Sequence, residues 1–329
     1  MPVRNEGYNG EVIKYDYSPK FTAFEGESKR AKIAGQSSGM GVCLVCDAPC
    51  NVEVNKQFRY ITPSLLSHMM EVEKTTRERR RILFCNDDSI DDLFKHENDL
   101  LCFNEKEIKP MKFSKIRKDL RSMVLITYEW TRSRAYWPNL PTSDKITLLK
   151  RCVLYQTIIE PAFLTAKIGY PSKFIMANGM YVSMDKNSDA GWEDEPEISK
   201  AMKQNLYIDL MKRVIKDIVE PIRKMDLSVK EFVALKSIVC WKNGGVSEVT
   251  EETKKILNRD VEMMLKELHE YYLEQKFNED IIAERMGNII LLLGSIFSLG
   301  LETIESHVKM SFFALWQFDS LVKKLFKET

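Results

Sequence analysis

The longest patterned stretch of the chain lies between Ser114 and Arg151 and begins as a helix. Apolar or aromatic residues recur there at the spacing of one helix face, namely Ile116, Leu120, Met123, Val124, Thr127 and Trp130. Leu125, Ile126 and Tyr128 occupy the remaining sides. Because its middle is apolar all round, we expect this helix to be buried between two layers.

A short turn follows and leads into a second helix. Pro138 and Pro141 end the first helix, since proline lacks an amide donor and clashes with the preceding turn. Thr142 or Ser143 is expected to cap the second helix, and Asp144 in its first turn complements the helix dipole. The apolar face then continues at Leu148 and Leu149.

The rest of the pattern is also helical. Capping residues and periodicity predict helices from Thr62 to about Leu83, over 153–169 with an interruption near Pro161, over 199–225, from the capping box Ser228–Glu231, from Thr250 to about Lys276, and from Asn278 to about Leu315. Two apolar runs around Ala177, Asn178 and Gly179 predict a small β-hairpin. The pattern therefore predicts an all-α fold.

The two-helix stretch resembles the signature of the nuclear hormone receptor ligand-binding domain. The matching residues are Glu129, Trp130, Arg132, Trp137, Leu140, Asp144, Lys145, Leu148 and Leu149. Ala135 stands where that family often has proline, and Arg132 where it usually has lysine. The style is closest to the divergent branch found in nematodes. The resemblance implies a three-layer antiparallel helical sandwich with a small β-turn over residues 61–329. Residues 1–60 lack long apolar periodicity and carry clusters of Gly, Ser, Lys and Asn, so we expect them to form a mostly disordered extension.

The N-terminal extension contains what looks like the start of the family's zinc module, Cys43 and Cys46. The structural zinc site of that module needs four ligands, and only Cys50 follows nearby. We therefore expect a remnant pair without metal, no cofactor, and no complete DNA-binding domain. Lys and Arg (49) nearly balance Asp and Glu (48), so no overall field attracts nucleic acid.

The cysteines and the hydropathy of the chain indicate the cellular compartment in which the protein works. Seven cysteines without regular spacing favour a reducing interior, and the family implies the nucleus, alternatively cytoplasm and nucleus. The longest uncharged run, 286–301, is shorter than the roughly 20 residues that cross a bilayer. We expect it to be a buried core helix. The basic run 77–81 is either a solvated helix face or a nuclear import signal.

The C-terminal tail is amphipathic and resembles the family's mobile activation helix. The resemblance implies a groove for coregulator proteins that involves Arg132, Lys150, Leu321, Val322, Lys324, Leu325 and Phe326. Lys324 stands where the family has a glutamate that accepts hydrogen bonds from the coregulator helix, and an ammonium only donates. We hypothesise a weak, constitutive or altered choice of coregulator. An ordinary packed C-terminal helix would show the same pattern.

The resemblance also implies an apolar ligand pocket and a dimer face. We expect Met123, Ile126, Thr127, Met176 and Ile290 to line the pocket. We expect Leu291, Leu292, Ser295 and Leu299 to form the dimer face, for a homodimer or a heterodimer with other receptors. Ordinary core packing explains both sets equally well.

These inferences predict a transcription regulator that binds a lipophilic ligand and coregulators, and not an enzyme. One alternative is a ligand-independent module that dimerises with, or titrates, other receptors or cofactors. A second alternative is a helical isoprenoid diphosphate enzyme, because Asp87, Asp88, Asp91 and Asp92 match a magnesium-binding pattern. Its second metal motif is missing near Asn98, where Cys102 and Lys106 replace the expected ligands.

Overall fold

The computed structural model describes residues 64–84, 101–242 and 248–312, all within the segment expected to form the domain. The helices are α1 (Leu65–Phe84), α2 (Phe113–Thr131), α3 (Thr142–Leu164), α4 (Lys200–Val214), α5 (Glu220–Lys224), α6 (Val229–Trp241), α7 (Glu251–Glu274) and α8 (Glu279–Phe312). The strands are β1 (Lys109–Pro110), β2 (Lys173–Ile175) and β3 (Met180–Ser183).

The helices are arranged in three layers. Helices α1 and α2 form one outer layer, α3, α6 and α7 the middle layer, and α4 and α8 the other outer layer. Helix α3 contacts elements of all three layers, and most of its second half is buried. The prediction of an all-α helical sandwich is confirmed.

The signature stretch lies where the first two layers meet. Trp130 and Leu148 are buried, and Trp137 begins a short 3₁₀ turn between α2 and α3. The expected cap is wrong, because neither Thr142 nor Ser143 caps α3. Asp144 instead accepts hydrogen bonds from the backbone amide and hydroxyl of Thr250, the residue that precedes α7. The turn therefore anchors the start of a distant helix.

Pro161 does not interrupt α3, contrary to the expectation. The helix continues through it to Leu164 and then widens into a π-helical turn at Thr165–Gly169. A second π-helical turn, Ile215–Val219, separates α4 from α5. Arg223 of α5 donates a hydrogen bond to the carbonyl of Ala166, which lies in the first π-helical turn. Helix α5 follows the second π-helical turn and thereby stabilises the first.

The predicted hairpin forms as β2 and β3, antiparallel around a turn with Gly179 at φ 76°. A Cβ on Gly179 would lie 2.9 Å from the Phe103 ring, so the position requires glycine for both backbone and space. Strand β1 pairs parallel with β3 and was not predicted. Its two residues are too few to carry a periodic signal.

Helix α6 begins at the predicted capping box. The Ser228 hydroxyl accepts the Glu231 amide, and the Glu231 carboxylate accepts the Ser228 amide. The same carboxylate also accepts hydrogen bonds from the Tyr272 hydroxyl and the Arg285 guanidinium. One local cap thereby joins three helices.

Helix α8 is long and apolar. Its Glu279–Thr303 segment is the one stretch among the described helices with the length and composition to cross a bilayer. Ile289, Ile296 and Leu299 on its inner face are fully buried against the core. One face of the segment is thus a core face of the sandwich.

Candidate functional site

Three large apolar side chains are exposed on α2 and α3, the helices on either side of the signature turn. Leu125 and Tyr128 of α2 are 46% and 36% exposed, and Ile146 of α3 is 50% exposed. The expectation that α2 is buried on all sides is wrong, because α2 belongs to an outer layer. The sequence did not indicate that these three side chains are exposed. In a sequence, an exposed apolar residue on an outer helix looks the same as an apolar residue of the core.

Cations lie on or next to the same two helices. Arg132 is exposed at the end of α2, with its guanidinium 5.6 Å from the centre of the Tyr128 ring. Lys145 donates to the carbonyl of Pro138, and Lys150 lies half-buried one turn further along α3. The helices on either side of the signature turn therefore carry exposed apolar side chains together with cations. Other predicted coregulator residues, Leu321, Val322, Lys324, Leu325 and Phe326, lie outside the described residues.

A cluster of four charged side chains lies at the centre of the domain. Lys236 of α6 is fully buried and forms ion pairs with Glu73 of α1, at 2.8 Å, and with Glu160 of α3. Arg80 of α1 donates to Glu160 at 2.7 Å. The Lys236 ammonium also lies 5.2 Å from the Trp130 ring. Two cations face two carboxylates, so we take the cluster to be neutral overall.

The two carboxylates of the cluster differ in acidity. Burial opposes the ionisation of Glu160, but the adjacent Arg80 and Lys236 outweigh burial and lower its pKa from 4.5 to about 2. Burial is the larger effect at Glu73 and raises its pKa, although Lys236 opposes the shift. Glu160 is thus the firmly ionised member.

This cluster corrects one interpretation of the sequence. The basic run 77–81 was read as a solvated face or an import signal, yet Arg80 and Arg81 are 4% and 6% exposed. Arg81 donates to Glu107 at 2.6 Å, and Arg79 pairs with Glu129 on the surface. Consecutive residues on a helix point in different directions, so one run serves both the interior and the surface.

A small cavity adjoins the charged cluster. It has a volume of about 40 Å³ and is lined by Met123, Ile126 and Thr127, three of the predicted pocket residues. Arg80, Gln156 and Glu160 contribute polar atoms to its wall. Met176 packs instead against the main core, and Ile290 is 51% exposed on α8. The structure brings together three of the five predicted pocket residues and separates the other two from this cavity.

A larger groove of about 760 Å³ lies on the surface between α5 and α8. Leu291, Leu292 and Ser295 of the predicted dimer face line it, and Leu291 is 74% exposed. Leu299 is fully buried in the core. The dimer face stays a prediction, with Leu299 pointing away from it.

Within the described ranges, no three histidine, cysteine or acidic side chains come together as a metal-binding group. Cys43 and Cys46 of the zinc remnant, and Asp87, Asp88, Asp91 and Asp92 of the magnesium pattern, lie outside the described residues.

Residues 103–313 match the family model for the ligand-binding domain of nuclear hormone receptors. Three Caenorhabditis elegans proteins named as nuclear hormone receptor family members are similar to the chain. Nhr-80 is 33% identical over 80% of this chain and 51% of its own length. Nhr-20 is 28% identical, over 79% and 57%, and nhr-22 is 23% identical, over 79% and 45%. The chain spans about half the length of these relatives.

Proposed function

The chain belongs to the nuclear hormone receptor family through its ligand-binding domain, and on that premise we propose that it regulates transcription by binding coregulator proteins in an apolar groove between α2 and α3. The exposed trio Leu125, Tyr128 and Ile146 carries this proposal. An apolar groove of this kind accepts the apolar face of an amphipathic helix. The family suggests that the protein acts in the nucleus and not as an enzyme.

The cations beside the groove give the bound helix a direction. Arg132 can donate hydrogen bonds to the free carbonyls at the C-terminal end of a docked helix, where the dipole is negative. Lys324, outside the described residues, cannot accept from the amides at the other end. The domain therefore has half of a charge clamp, which alters its choice of coregulator.

We expect Ile146→Arg to weaken binding of a Leu-x-x-Leu-Leu peptide at least tenfold, because the change removes about 1.5–3 kcal/mol of apolar burial. The measurement is fluorescence anisotropy of a labelled peptide titrated with the purified protein. Met263→Arg is the matched control, since Met263 is 39% exposed on α7, in the middle layer. Unchanged binding by Ile146→Arg would contradict the proposed groove. If Lys324→Glu fails to tighten peptide binding, the hypothesis of a half charge clamp is wrong. The proposed groove is not affected by that result.

We further propose that the domain binds coregulators without a drug-sized ligand inside it. Such ligands occupy pockets of roughly 300–1,000 Å³, whereas the cavity at the predicted pocket holds about 40 Å³. Its wall also carries the charged side chains of Arg80 and Glu160. This observation favours the ligand-independent interaction module over the lipophilic-ligand receptor.

Native mass spectrometry of the purified protein tests the absence of a ligand. We expect the mass of the polypeptide alone, and the same peptide affinity before and after extraction with organic solvent and refolding. A lipid that co-purifies with the protein in a one-to-one ratio would contradict the proposal that no drug-sized ligand lies inside the domain. It would leave the groove proposal intact, because the two depend on different parts of the domain.

A further inference from the structure

The outward side of α2 carries one line of exposed side chains. From Lys118 to Arg132, the exposed residues are Lys118, Arg121, Leu125, Tyr128 and Arg132, and Arg132 is the C-terminal cap of the helix. Their spacing alternates between three and four positions, so they lie above one another as a single stripe. We call this line the α2 stripe. It has an apolar centre, Leu125 and Tyr128, and cations at both ends.

The two ends of the α2 stripe differ in their distance from its apolar centre. The Arg132 guanidinium lies 5.6 Å from the centre of the Tyr128 ring, so this cation adjoins the centre directly. Lys118 precedes Leu125 by two helical turns, which is roughly 10 Å along the axis. A short helix that covers the apolar centre therefore reaches Arg132 itself, whereas only residues that flank its apolar motif reach Lys118.

The carboxylates of α2 have partners outside the stripe. The helix contains two of them, Asp119 and Glu129. Asp119 accepts a hydrogen bond from the Asn178 side chain at 2.9 Å, and Glu129 forms an ion pair with Arg79 of α1. None of the five side chains of the stripe is acidic. The exposed line of α2 is therefore apolar and basic only.

The start of α3 shows the same separation of charges. Its carboxylate, Asp144, is buried and accepts a hydrogen bond from the Thr250 hydroxyl. Lys145 and Lys150 remain partly exposed. The whole chain is nearly balanced, with 49 lysines and arginines against 48 acidic residues. The excess of positive charge on these two helices is thus a local property of this surface.

We propose that the coregulator segment bound by this domain is an acidic amphipathic helix, with aspartate or glutamate residues before its apolar motif that pair with Lys118. The inference rests on the proposed function and names the class of partner that the site selects. Arg132 binds the carbonyls at the C-terminal end of the docked helix, so the N-terminal end lies towards Lys118 when the helix follows the stripe. Acidic residues at that end are also stabilised by the dipole of their own helix.

The size of the effect follows from the exposure of these charges. Exposed ion pairs contribute little each, and salt screens them over about 10 Å at 0.1 M. The apolar centre therefore supplies most of the affinity, and the acidic residues choose between partners that share the same apolar motif. We expect a several-fold preference that depends on ionic strength.

The test compares three labelled peptides by fluorescence anisotropy with the purified full chain. All three contain the same Leu-x-x-Leu-Leu motif, preceded by a short run of glutamate, of glutamine or of lysine. At about 50 mM salt we expect the glutamate peptide to bind about fivefold more tightly than the glutamine peptide, and the lysine peptide to bind most weakly. At about 500 mM salt the three affinities should agree within about twofold, because screening is then strong.

Lys118→Glu tests the residue assigned to this preference. The change should weaken binding of the glutamate peptide, tighten binding of the lysine peptide and leave the glutamine peptide unchanged. Lys255→Glu is the matched control, because Lys255 is exposed on α7 and the variant has the same net charge. It should keep the wild-type order of the three peptides. Circular dichroism checks that both variants are folded.

The possible results separate this inference from the coregulator function. Equal affinities for the three peptides, with Ile146→Arg still weakening all of them, would overturn the acidic partner and leave the groove standing. An equal loss of preference in Lys118→Glu and Lys255→Glu would also overturn it, because overall charge and not the stripe would then select the partner. If none of the peptides binds, the coregulator function is wrong and this inference falls with it.

Discussion

Lys236→Met is expected to lower the free energy of unfolding by about 3–5 kcal/mol, the cost of breaking a buried ion pair by removing one partner. The lysine is fully buried between Glu73 and Glu160. Methionine fills similar space but neutralises neither carboxylate. Glu160 still pairs with Arg80 in this variant. Among the described residues, Lys236 is the one cation that forms an ion pair with Glu73, so Glu73 loses its partner. Urea unfolding followed by circular dichroism measures the loss.

Lys254→Met is the matched control for this change. Lys254 pairs with Glu251 on the surface of α7, with side chains 50% and 72% exposed. An exposed pair of this kind contributes about 0.5 kcal/mol or less. A loss for Lys236→Met as small as that of the control would show that the cluster contributes nothing by its charges.

Acidification is expected to remove about 3 kcal/mol of stability through Glu160, because its pKa falls from 4.5 to about 2 on folding and each unit corresponds to about 1.4 kcal/mol. The folded state holds this carboxylate ionised more strongly than the unfolded state does. The contribution is therefore complete above pH 4.5 and is lost as the pH falls towards about 2. Urea midpoints measured along this pH range give the slope.

Glu160→Gln should flatten that slope, since the amide does not titrate. Glu73→Gln is the informative contrast, because burial raises the pKa of Glu73. The contribution of Glu73 is present below the unfolded value of 4.5 and weakens as the pH rises through its higher folded value. Glu73→Gln should therefore keep the wild-type slope below pH 4.5 and lose the decline in stability that Glu73 causes above pH 4.5. Equal slopes for all three proteins would contradict the assignment.

Local signals in the sequence predicted most helix starts. The box of Ser228 and Glu231 and the glycine-containing hairpin each depend on residues within a few positions of one another. Such signals act through backbone hydrogen bonds that the nearby chain alone determines. The resemblance around Trp130 implied the three-layer sandwich, which local pattern does not contain, but the expected place of α2 between two layers was wrong.

Long-range pairing could not be predicted in the same way. Lys236 and Glu73 are 163 positions apart, and nothing near either one indicates that it is buried. The same limit applies to Asp144, which binds Thr250, 106 positions later, rather than a residue at the start of its own helix. The prediction of solvent exposure failed for a related reason. Ile146 and Ile290 are exposed but are as apolar as their buried neighbours, so the sequence does not distinguish them. Only the assembled layers decide which side faces water.

The neutral balance of the central cluster has a consequence for how this lineage can change. No member of the set Glu73, Arg80, Glu160 and Lys236 can mutate alone to an uncharged residue without stranding a charge in the interior. Drift must therefore proceed by compensated exchanges, in which an acid and a base disappear together. Descendants of this gene should keep all four charged residues, or should lack one acidic and one basic residue together. A descendant that lacks an odd number of the four should be a gene copy that is losing its function.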